Sequence, residues 1–467
     1  MVTDNSASSS SSIASPPSGL QRLLVRYTNI DPRETATVIA AFFLFFFVLG
    51  SYFAVRPVRE TIATVLGRQR VADLWLYTAG FSILIVPLYG WLVGRVRRSL
   101  LLPWIYGGVA IILAAIGLGL RANENSVVVG AFFYVWISVL NLMLVSVFWS
   151  FLLEIFSSDQ TKRLFGFIAA GGTAGALVGP LCTRLIVDHT GNAGVLFFGA
   201  CGFIGAILCQ RVLLRIWMRE RVGLAAAAAG ETQALAAAAT SHGSPVSASA
   251  AAPVVTRGHG DRGLGGNPLA GILVVFKSPY LMGITLFVVL LSAVNTFLYF
   301  EQLRIVEDTF HDKTRRTEVF ANIDIIVQTL TIFSQVFLTG KIASRLGVRV
   351  LLTMVPIAMI GGFLVLAAFD VFAVIAATLV LRRWGEYAFI RPGREMLFGR
   401  LDTEAKYKAK SFIDVPVYRA ADWVGAQVKT GIEAIGVTAA GAAMIGAAIA
   451  AGWAINGWFL GRRYDRG

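Results

Sequence analysis

Two distant segments of the chain share one pattern of charged and aromatic residues, Y-x-x-x-R-P-x-R-E. It is formed by Tyr52, Arg56, Pro57, Arg59 and Glu60 and again by Tyr387, Arg391, Pro392, Arg394 and Glu395. In a helix, spacings of three and four place the tyrosine and both arginines of each copy on one face. A guanidinium group donates charge-assisted hydrogen bonds to phosphate or carboxylate oxygens. The proline removes a backbone donor and weakens the turn around it.

Further polar and ionisable residues stand in apolar surroundings. They are Glu154, close to Trp149 and Ser150; Asn295, Tyr299, Glu301 and Arg304; and Asp324, with Gln328 one turn on. An Arg or Asp at the centre of a membrane helix costs about 2.5 to 3.5 kcal/mol on insertion scales, so such residues persist where they face water or one another. For each of them two interpretations stay open. The residue lines a solute path, or it forms a salt bridge that braces the bundle.

The elements that carry these residues are predicted to be membrane helices. Hydrophobic residues make up 56% of the 467 positions and charged residues 15%, and the mean hydropathy is +0.69. Ordinary soluble proteins contain about 25% charged residues. Segments such as AFFLFFFVLG are continuously apolar, whereas the strands of an outer-membrane barrel alternate apolar and polar residues. We therefore expect an all-α polytopic membrane protein embedded in a lipid bilayer.

Twelve apolar segments have the length of a membrane-spanning helix. They lie near residues 37–65, 74–93, 100–120, 127–156, 164–187, 194–217, 280–309, 318–344, 350–369, 372–401, 408–432 and 438–460. A stretch rich in Ala, Gly, Ser and Pro separates the first six from the last six. This division predicts a disordered tail at 1–36, a six-helix half at 37–217, a flexible linker at 218–269 and a second six-helix half at 270–467.

Corresponding turns of the two halves share sequence features. GWLVGRVRRS from Gly90 and GKIASRLGVR from Gly340 share the frame G-x-x-x-x-R, and SSDQTKRLFGFI from Ser157 corresponds to DTEAKYKAKSFI from Asp402. A six-helix unit duplicated in parallel is the plan of the major facilitator fold. In that fold helices 1, 4, 7 and 10 surround the central cavity, and the charges described above fall mainly on those helices.

Lys and Arg concentrate in the turns that follow even-numbered helices. By the positive-inside rule, this places both termini and the linker in the cytoplasm, and we expect a bacterial inner-membrane location. The same rule accounts for the formal net charge of +14, so no nucleic-acid partner is needed.

Motifs of metal sites and enzymes do not occur in the sequence. The three cysteines and four histidines lack ligand spacing, and there is no phosphate-binding loop, GxSxG elbow or HExxH motif. We therefore expect no metal, no cofactor and no enzymatic activity. Gly171, Gly175 and Gly179 have the small-residue spacing of closely packed membrane helices, and we assign them to packing.

Three stretches resemble the ATP/ADP translocase family of plastids and obligate intracellular bacteria. They are VRPVRETIATV, FWSFLLEIFSSDQTKRLFGFI and EYAFIRPGREMLFGRLDTEAKYKAKSFIDV. The resemblance implies that the four residues essential for exchange correspond to Arg59, Glu154, Glu301 and Arg394, with arginine in place of both family lysines. Arg391 stands where the family has an aspartate before the proline, which adds a positive charge.

The predicted function is transport of a small anionic, phosphorylated solute by alternating access, with ATP/ADP exchange as the leading candidate. Arg59 and Arg394 would bind phosphate oxygens, and Arg56 and Arg391 would add positive electrostatic potential at the binding site. Tyr52, Tyr387 or Trp149 would stack on a base, while Glu154 and Glu301 would pair with the arginines of the empty site.

Two alternatives stay open at this point. One is a proton-coupled symporter or exporter of another organic anion, in which Glu154, Glu301 or Asp324 titrates. The other is a membrane enzyme or signalling scaffold, which should show a catalytic constellation or a folded domain outside the membrane. The oligomeric state is open, and a monomer is compatible with the pattern.

Overall fold

The structure, a computed structural model, describes residues 34–95, 98–241, 275–398, 409–410 and 412–466. Within these residues all regular secondary structure is helical, as the composition predicts. The predicted tail, except for its last three positions, and residues 242–269 of the predicted linker lie outside the described residues.

In its described residues, the N-terminal half has five helical elements. They are α1 (Thr35–Leu66), α2 (Arg68–Arg95), α3 (Arg98–Ala122), α4 (Val127–Ile155) and α5 (Ser158–Ser241). Helix α5 bends at Gly191, whose φ of 66° lies in the left-handed region that glycine adopts without a Cβ clash. The bend divides α5 into two arms that correspond to the fifth and sixth predicted helices.

The C-terminal half begins with α6 (Pro279–Thr309), α7 (Lys313–Phe337) and α8 (Thr339–Ala368). Helix α9 (Phe372–Gly385) continues through a π-helix (Glu386–Ile390) into α10 (Arg391–Phe398). A second π-helix (Ile413–Val417) leads into α11 (Tyr418–Ala434), and α12 (Ala439–Arg466) follows.

Among the described residues, seven helices are long and apolar enough to cross a membrane, and one of them, Leu164–Glu220, contains the bend at Gly191. The second, eighth, tenth and eleventh predicted spans are not among the seven. The tenth is divided by the π-helix into α9, of 14 residues, and α10, of 8 residues, so neither is long enough by itself. The count of twelve spans therefore stays a prediction.

Helix α5 continues through residues 218–241, the first part of the predicted flexible linker. This part is rich in alanine, which has the highest helix propensity of all residues, so the chain remains helical beyond the predicted span. The boundaries of the tail, halves and linker otherwise stay predictions.

Glycines bring α1 and α5 into close contact. A Cβ placed on Gly175 would lie 2.8 Å from the backbone nitrogen of Gly50, and a Cβ on Gly179 would lie 2.8 Å from that of Ala54. The assignment of these glycines to helix packing is confirmed. Helices α8 and α12 approach in a similar way, because a Cβ on Gly457 would lie 2.7 Å from the carbonyl oxygen of Leu352.

Each half has its own hydrophobic core. One cluster of buried apolar residues is drawn mainly from residues 38–213 and the other from residues 275–460. Phe300, Leu303 and Ala426 of the C-terminal half pack into the first cluster and so connect the halves.

Polar side chains also join the halves, near the end of α1 and the start of α7. Arg316 donates to the Thr64 hydroxyl at 2.8 Å, and the hydroxyls of Thr61 and Thr317 lie 2.7 Å apart. Nearby, Arg68 pairs with Glu433 at 3.3 Å. We call this end of the molecule, where these side chains of the two halves are in contact, the closed end. In the predicted orientation it faces away from the cytoplasm.

Candidate functional site

A cavity of about 480 Å³ lies between the halves. Among the described residues its wall contains five arginines (Arg56, Arg59, Arg391, Arg394, Arg419), four acids (Glu386, Glu395, Asp414, Asp422), seven aromatic residues (Tyr52, Phe53, Trp75, Tyr134, Tyr299, Tyr387, Tyr418) and the smaller polar residues Thr78, Ser138 and Asn295. Helices α1, α4, α6 and α9–α10 contribute, as the major facilitator plan predicts. Helices α2 and α11 contribute as well.

The π-helix before α10 aligns the second charged motif. Pro392 has no N–H group and cannot donate to the carbonyl oxygen of Ala388, its partner in a regular α-helix. That carbonyl accepts a hydrogen bond from the Thr339 hydroxyl at 2.9 Å, and the carbonyl of Tyr387 accepts one from the Gln335 amide at 3.2 Å. Side chains of the neighbouring helices thus replace the missing backbone donors. Both carbonyl oxygens of the widened turn therefore have hydrogen-bond partners inside the protein.

The arginines of the first motif are largely buried. Arg59 forms an ion pair with Glu60 and donates to the Ser138 hydroxyl at 3.4 Å. Arg56 reaches across to the other half, where its Nη1 lies 3.3 Å from the carboxylate of Asp324. Arg56 also lies 4.0 Å from the carboxylate of Glu60, one turn on in the same helix. A carboxylate therefore accompanies each arginine, and both arginines line the cavity.

The arginines of the second motif differ in exposure. The side chain of Arg391 is 57% exposed; it pairs with Glu386 at 3.2 Å and its guanidinium lies 4.5 Å from the centre of the Tyr387 ring. The Arg394 side chain is only 14% exposed and pairs with Asp414 at 3.2 Å. Arg391 thus occupies one face of Tyr387, a residue that was expected to stack on a base.

Aromatic residues form a hydrogen-bonded group on the wall. The Trp75 indole donates to the Tyr134 hydroxyl at 2.7 Å, and the hydroxyls of Tyr134 and Tyr299 lie 2.9 Å apart. The guanidinium of Arg59 lies 5.7 Å from the Tyr134 ring centre, within the range of a cation–π interaction. The group joins three helices and presents both ring surface and hydroxyls to the cavity.

Six of the eight predicted site residues line this cavity. They are Tyr52, Arg56, Arg59, Tyr387, Arg391 and Arg394. Glu154 falls in α4, but its side chain lies outside the described part of the structure. Trp149, a third candidate for base stacking, packs against Phe45, Phe148 and Phe165.

Glu301 lies in a different ionic cluster. It is 3% exposed, and its carboxylate accepts from Lys429 at 2.5 Å and from Arg304 at 2.9 Å. The expected pairing of Glu301 with Arg59 or Arg394 is not seen in the described residues. The reason is that α11 brings Lys429 against α6 at this level. Glu301, Lys429 and Arg304 line a separate cavity near the closed end, and a role of Glu301 in exchange stays a prediction.

Several residues of the wall were not identified from the sequence. Glu386 stands directly before Tyr387, the first residue of the second motif copy, and Trp75, Tyr134 and Tyr418 resemble ordinary apolar helix residues. Asp414 and Asp422 belong to the eleventh predicted helix, where acids in a predicted span are a signal of the same kind as Asp324. The aromatic residues have no comparable signal, because aromatic side chains also fill cores.

No known family model matches the sequence, and no curated protein matches it. Several solved structures resemble it in fold. They include a POT family transporter in complex with a thioalcohol-conjugated peptide (TM-score 0.58, 11% identity, covering 92% of this chain and 96% of that chain) and a bacterial homologue of the iron transporter ferroportin in an inward-facing state (0.57, 12%, 90% and 98%). A third is the nucleoside transporter NupG (0.53, 14%, 93% and 99%).

These likenesses extend over nearly the full length of both chains in each comparison, and at such low identities they concern the fold alone. The chain is thus an all-α integral membrane protein with the major facilitator fold.

Proposed function

We propose that the protein is a transporter that moves a small organic anion across the membrane by alternating access. The observation that carries the proposal is the repeated arginine motif, which meets from both halves around one cavity. Side chains join the halves at one end through Arg68 and Glu433, whereas Arg391 is exposed near the other end. In the predicted orientation the cavity faces the cytoplasm, where both termini lie.

A nucleotide is the leading candidate for the solute, and ATP/ADP exchange the leading mode. Support comes from the motif resemblance to the ATP/ADP translocase family and from the composition of the wall. Arginines can bind the phosphates, while Trp75, Tyr299 and Tyr418 supply aromatic surface for a base.

Uptake by purified protein in liposomes tests the proposal. Labelled ATP, ADP and a panel of other organic anions are added outside vesicles that contain either buffer or the same solute. We expect saturable ATP entry that internal ADP accelerates. If no anion enters faster than into protein-free vesicles, the proposal is wrong.

Proton-coupled symport of another anion is the second candidate, and Asp422 is the observation that favours it. This carboxylate lines the cavity, accepts from the Ser292 hydroxyl at 2.5 Å and lies 3.6 Å from Arg419. A pH gradient, acidic outside, should then drive uptake without any internal solute, and Asp422→Asn should abolish the effect of the gradient. Exchange predicts that internal solute matters and the gradient does not.

A further inference from the structure

A second, smaller cavity of about 140 Å³ adjoins the central cavity. The two share several lining residues, among them Arg56, Arg59, Arg391 and Tyr387. The smaller cavity is also lined by Arg382 and Arg383, which stand in α9 and are each 7% exposed. We call this smaller cavity the inner pocket.

Positive charge exceeds negative charge around the inner pocket. Among the described residues its lining contains five arginines (Arg56, Arg59, Arg382, Arg383, Arg391) and three carboxylates (Glu60, Asp324, Glu386). Two guanidinium charges are therefore left without a carboxylate of their own. The central cavity is more evenly balanced, with five arginines and four acids.

The three carboxylates are each shared between two arginines. Glu60 is shared by Arg56 and Arg59, Asp324 by Arg56 and Arg383, and Glu386 by Arg382 and Arg391. The closest contact of Arg383 to Asp324 is 2.5 Å, and that of Arg382 to Glu386 is 2.9 Å. Several guanidinium donors are left without an acceptor, although Glu60 Oε2 is also without a partner among the described residues. The buried Nε atoms of Arg59, Arg382 and Arg383 have no hydrogen-bond partner among the described residues.

Bracing alone does not account for this arrangement. A buried structural ion pair is favourable only when its charges are paired and its hydrogen-bond donors have acceptors. An uncompensated buried charge destabilises the fold. Two surplus guanidinium charges with free N–H donors are instead matched by a bound dianion. A tetrahedral dianion offers several acceptor oxygens, and guanidinium groups bind phosphate oxygens in paired fashion.

We propose that the inner pocket binds a phosphate-type dianionic group of the transported solute, and that Arg382 and Arg383 are anion-binding residues. The proposal rests on the proposed transport of an organic anion and adds to it a position for the charged group. The pocket volume suits a compact group, and the aromatic residues of the central cavity are left for the organic remainder of the solute.

Binding of labelled inorganic phosphate to the purified full-length protein is the first test. We expect saturable binding at constant ionic strength. Unlabelled methyl phosphate should compete, sulfate should compete because it is also a tetrahedral dianion, and acetate should not.

Variants then locate the site. Arg382→Gln and Arg383→Gln should each weaken phosphate binding about ten- to a hundredfold, as expected for loss of a charged hydrogen bond. Each variant leaves its carboxylate with one remaining arginine, so the fold should persist. Asp324→Asn should strengthen binding, because it removes a negative charge that competes with phosphate. Arg315→Gln is the matched control, since this side chain is 63% exposed and lies outside both cavities.

A paired variant covers the case in which Arg383→Gln does not accumulate. Arg383→Gln combined with Asp324→Asn removes both partners of one ion pair, and it should also bind phosphate more weakly than Asp324→Asn alone. Equal binding by these two variants, or by wild type and Arg382→Gln, would overturn the proposal.

The outcomes separate this proposal from the transport proposal. Uptake of organic anions without phosphate binding would overturn the inner pocket as a phosphate site and leave transport standing. Phosphate binding that depends on Arg382 and Arg383, without uptake of any anion, would support the pocket and contradict transport.

Discussion

The arginines of the cavity are its candidate anion-binding residues, and the two with predicted phosphate contacts each lie next to a carboxylate. Arg59 pairs with Glu60 and Arg394 with Asp414, yet the Nε of both arginines lacks a partner among the described residues. A solute therefore finds donors that are preformed and not fully occupied. An anion can accept hydrogen bonds from these free donors without displacing the carboxylate that already pairs with each arginine.

Replacement of Arg59 or Arg394 by Gln is expected to lower transport by about one to two orders of magnitude. A hydrogen bond to a charged group contributes roughly 1.5 to 3 kcal/mol, and Gln removes the charge. Lysine keeps the charge and should retain activity. Initial uptake rates in liposomes, normalised to the amount of protein, measure the effect, with Arg315→Gln as the control. Normal transport by the Gln variants would show that these arginines are structural.

At the scale of the helical element, the same motif has two conformations. Helix α1 stays α-helical through Pro57, whereas the chain around Pro392 opens into a π-helix followed by α10. The difference follows from the surroundings of the second copy, where Thr339 and Gln335 supply donors to the freed carbonyls. We infer that these two side chains stabilise the wide turn that holds Arg391 and Arg394.

Substitution of Thr339 by Val tests that inference. The hydroxyl is lost at nearly constant volume, and a buried carbonyl without its donor destabilises by about 1 to 3 kcal/mol. We expect a lower melting temperature of the purified protein. Thr329→Val is the control, because the exposed Thr329 hydroxyl donates to the Ile325 carbonyl of its own helix and is hydrogen-bonded to no other helix in the described part of the chain. Equal melting temperatures of the two variants would contradict the role of Thr339.

The contact between α1 and α5 leads to a second prediction at this scale. Gly175→Ala should destabilise the protein, because its Cβ would lie 2.8 Å from the Gly50 nitrogen and neither backbone can move without shifting a helix. Gly108→Ala is the matched control, since a Cβ at Gly108 meets nothing within 4 Å. There alanine should be neutral or stabilising by up to about 1 kcal/mol. Thermal unfolding of both variants measures the difference, and a stabilising Gly175→Ala would show that the helices are not in contact.

For the whole molecule, a network of ion pairs joins the two halves near the start of α2. The Arg68–Glu433 pair belongs to a network in which Glu433 also contacts Lys429 at 3.2 Å, and Lys429 contacts Glu301. This network links α6 and α11 of one half to the start of α2 in the other. Alternating access requires such contacts to break when the opposite state forms.

Reversal of one charge in this network should shift the equilibrium towards the opposite state. In Arg68→Glu, two carboxylates face each other, and a loss on the order of 1 kcal/mol raises the open population about two- to tenfold. A cysteine at Ser138, in a variant whose native cysteines are replaced, reports the change. Its labelling by a membrane-impermeant reagent from the non-cytoplasmic side should accelerate.

Arg70→Glu is the control for that experiment, because Arg70 is an exposed neighbour with the same charge. Equal labelling of the two variants would show that Arg68 does not hold the closed end. Acceleration only from the cytoplasmic side would instead contradict the predicted orientation.

The sequence by itself determines the helices and the charged faces of two of them. Continuous apolar runs can satisfy their backbone groups in a membrane only as helices, and the spacing within one helix sets which side chains share a face. Tyr52, Arg56 and Arg59 could therefore be assigned to one surface, and Gly171, Gly175 and Gly179 to a packing seam. Both inferences depend on residues within one turn or a few turns of each other.

Tertiary structure alone decided which side chains meet across helices. Arg56 reaches Asp324 from a position 268 residues away, and Lys429, not an arginine of the cavity, reaches Glu301. The sequence shows Arg382 and Arg383 only as two adjacent charges after an apolar run, and the fold places them around the inner pocket. Such pairings depend on the rotation and depth of each helix in the bundle, which result from the packing of all helices together. Local periodicity contains no information about that rotation.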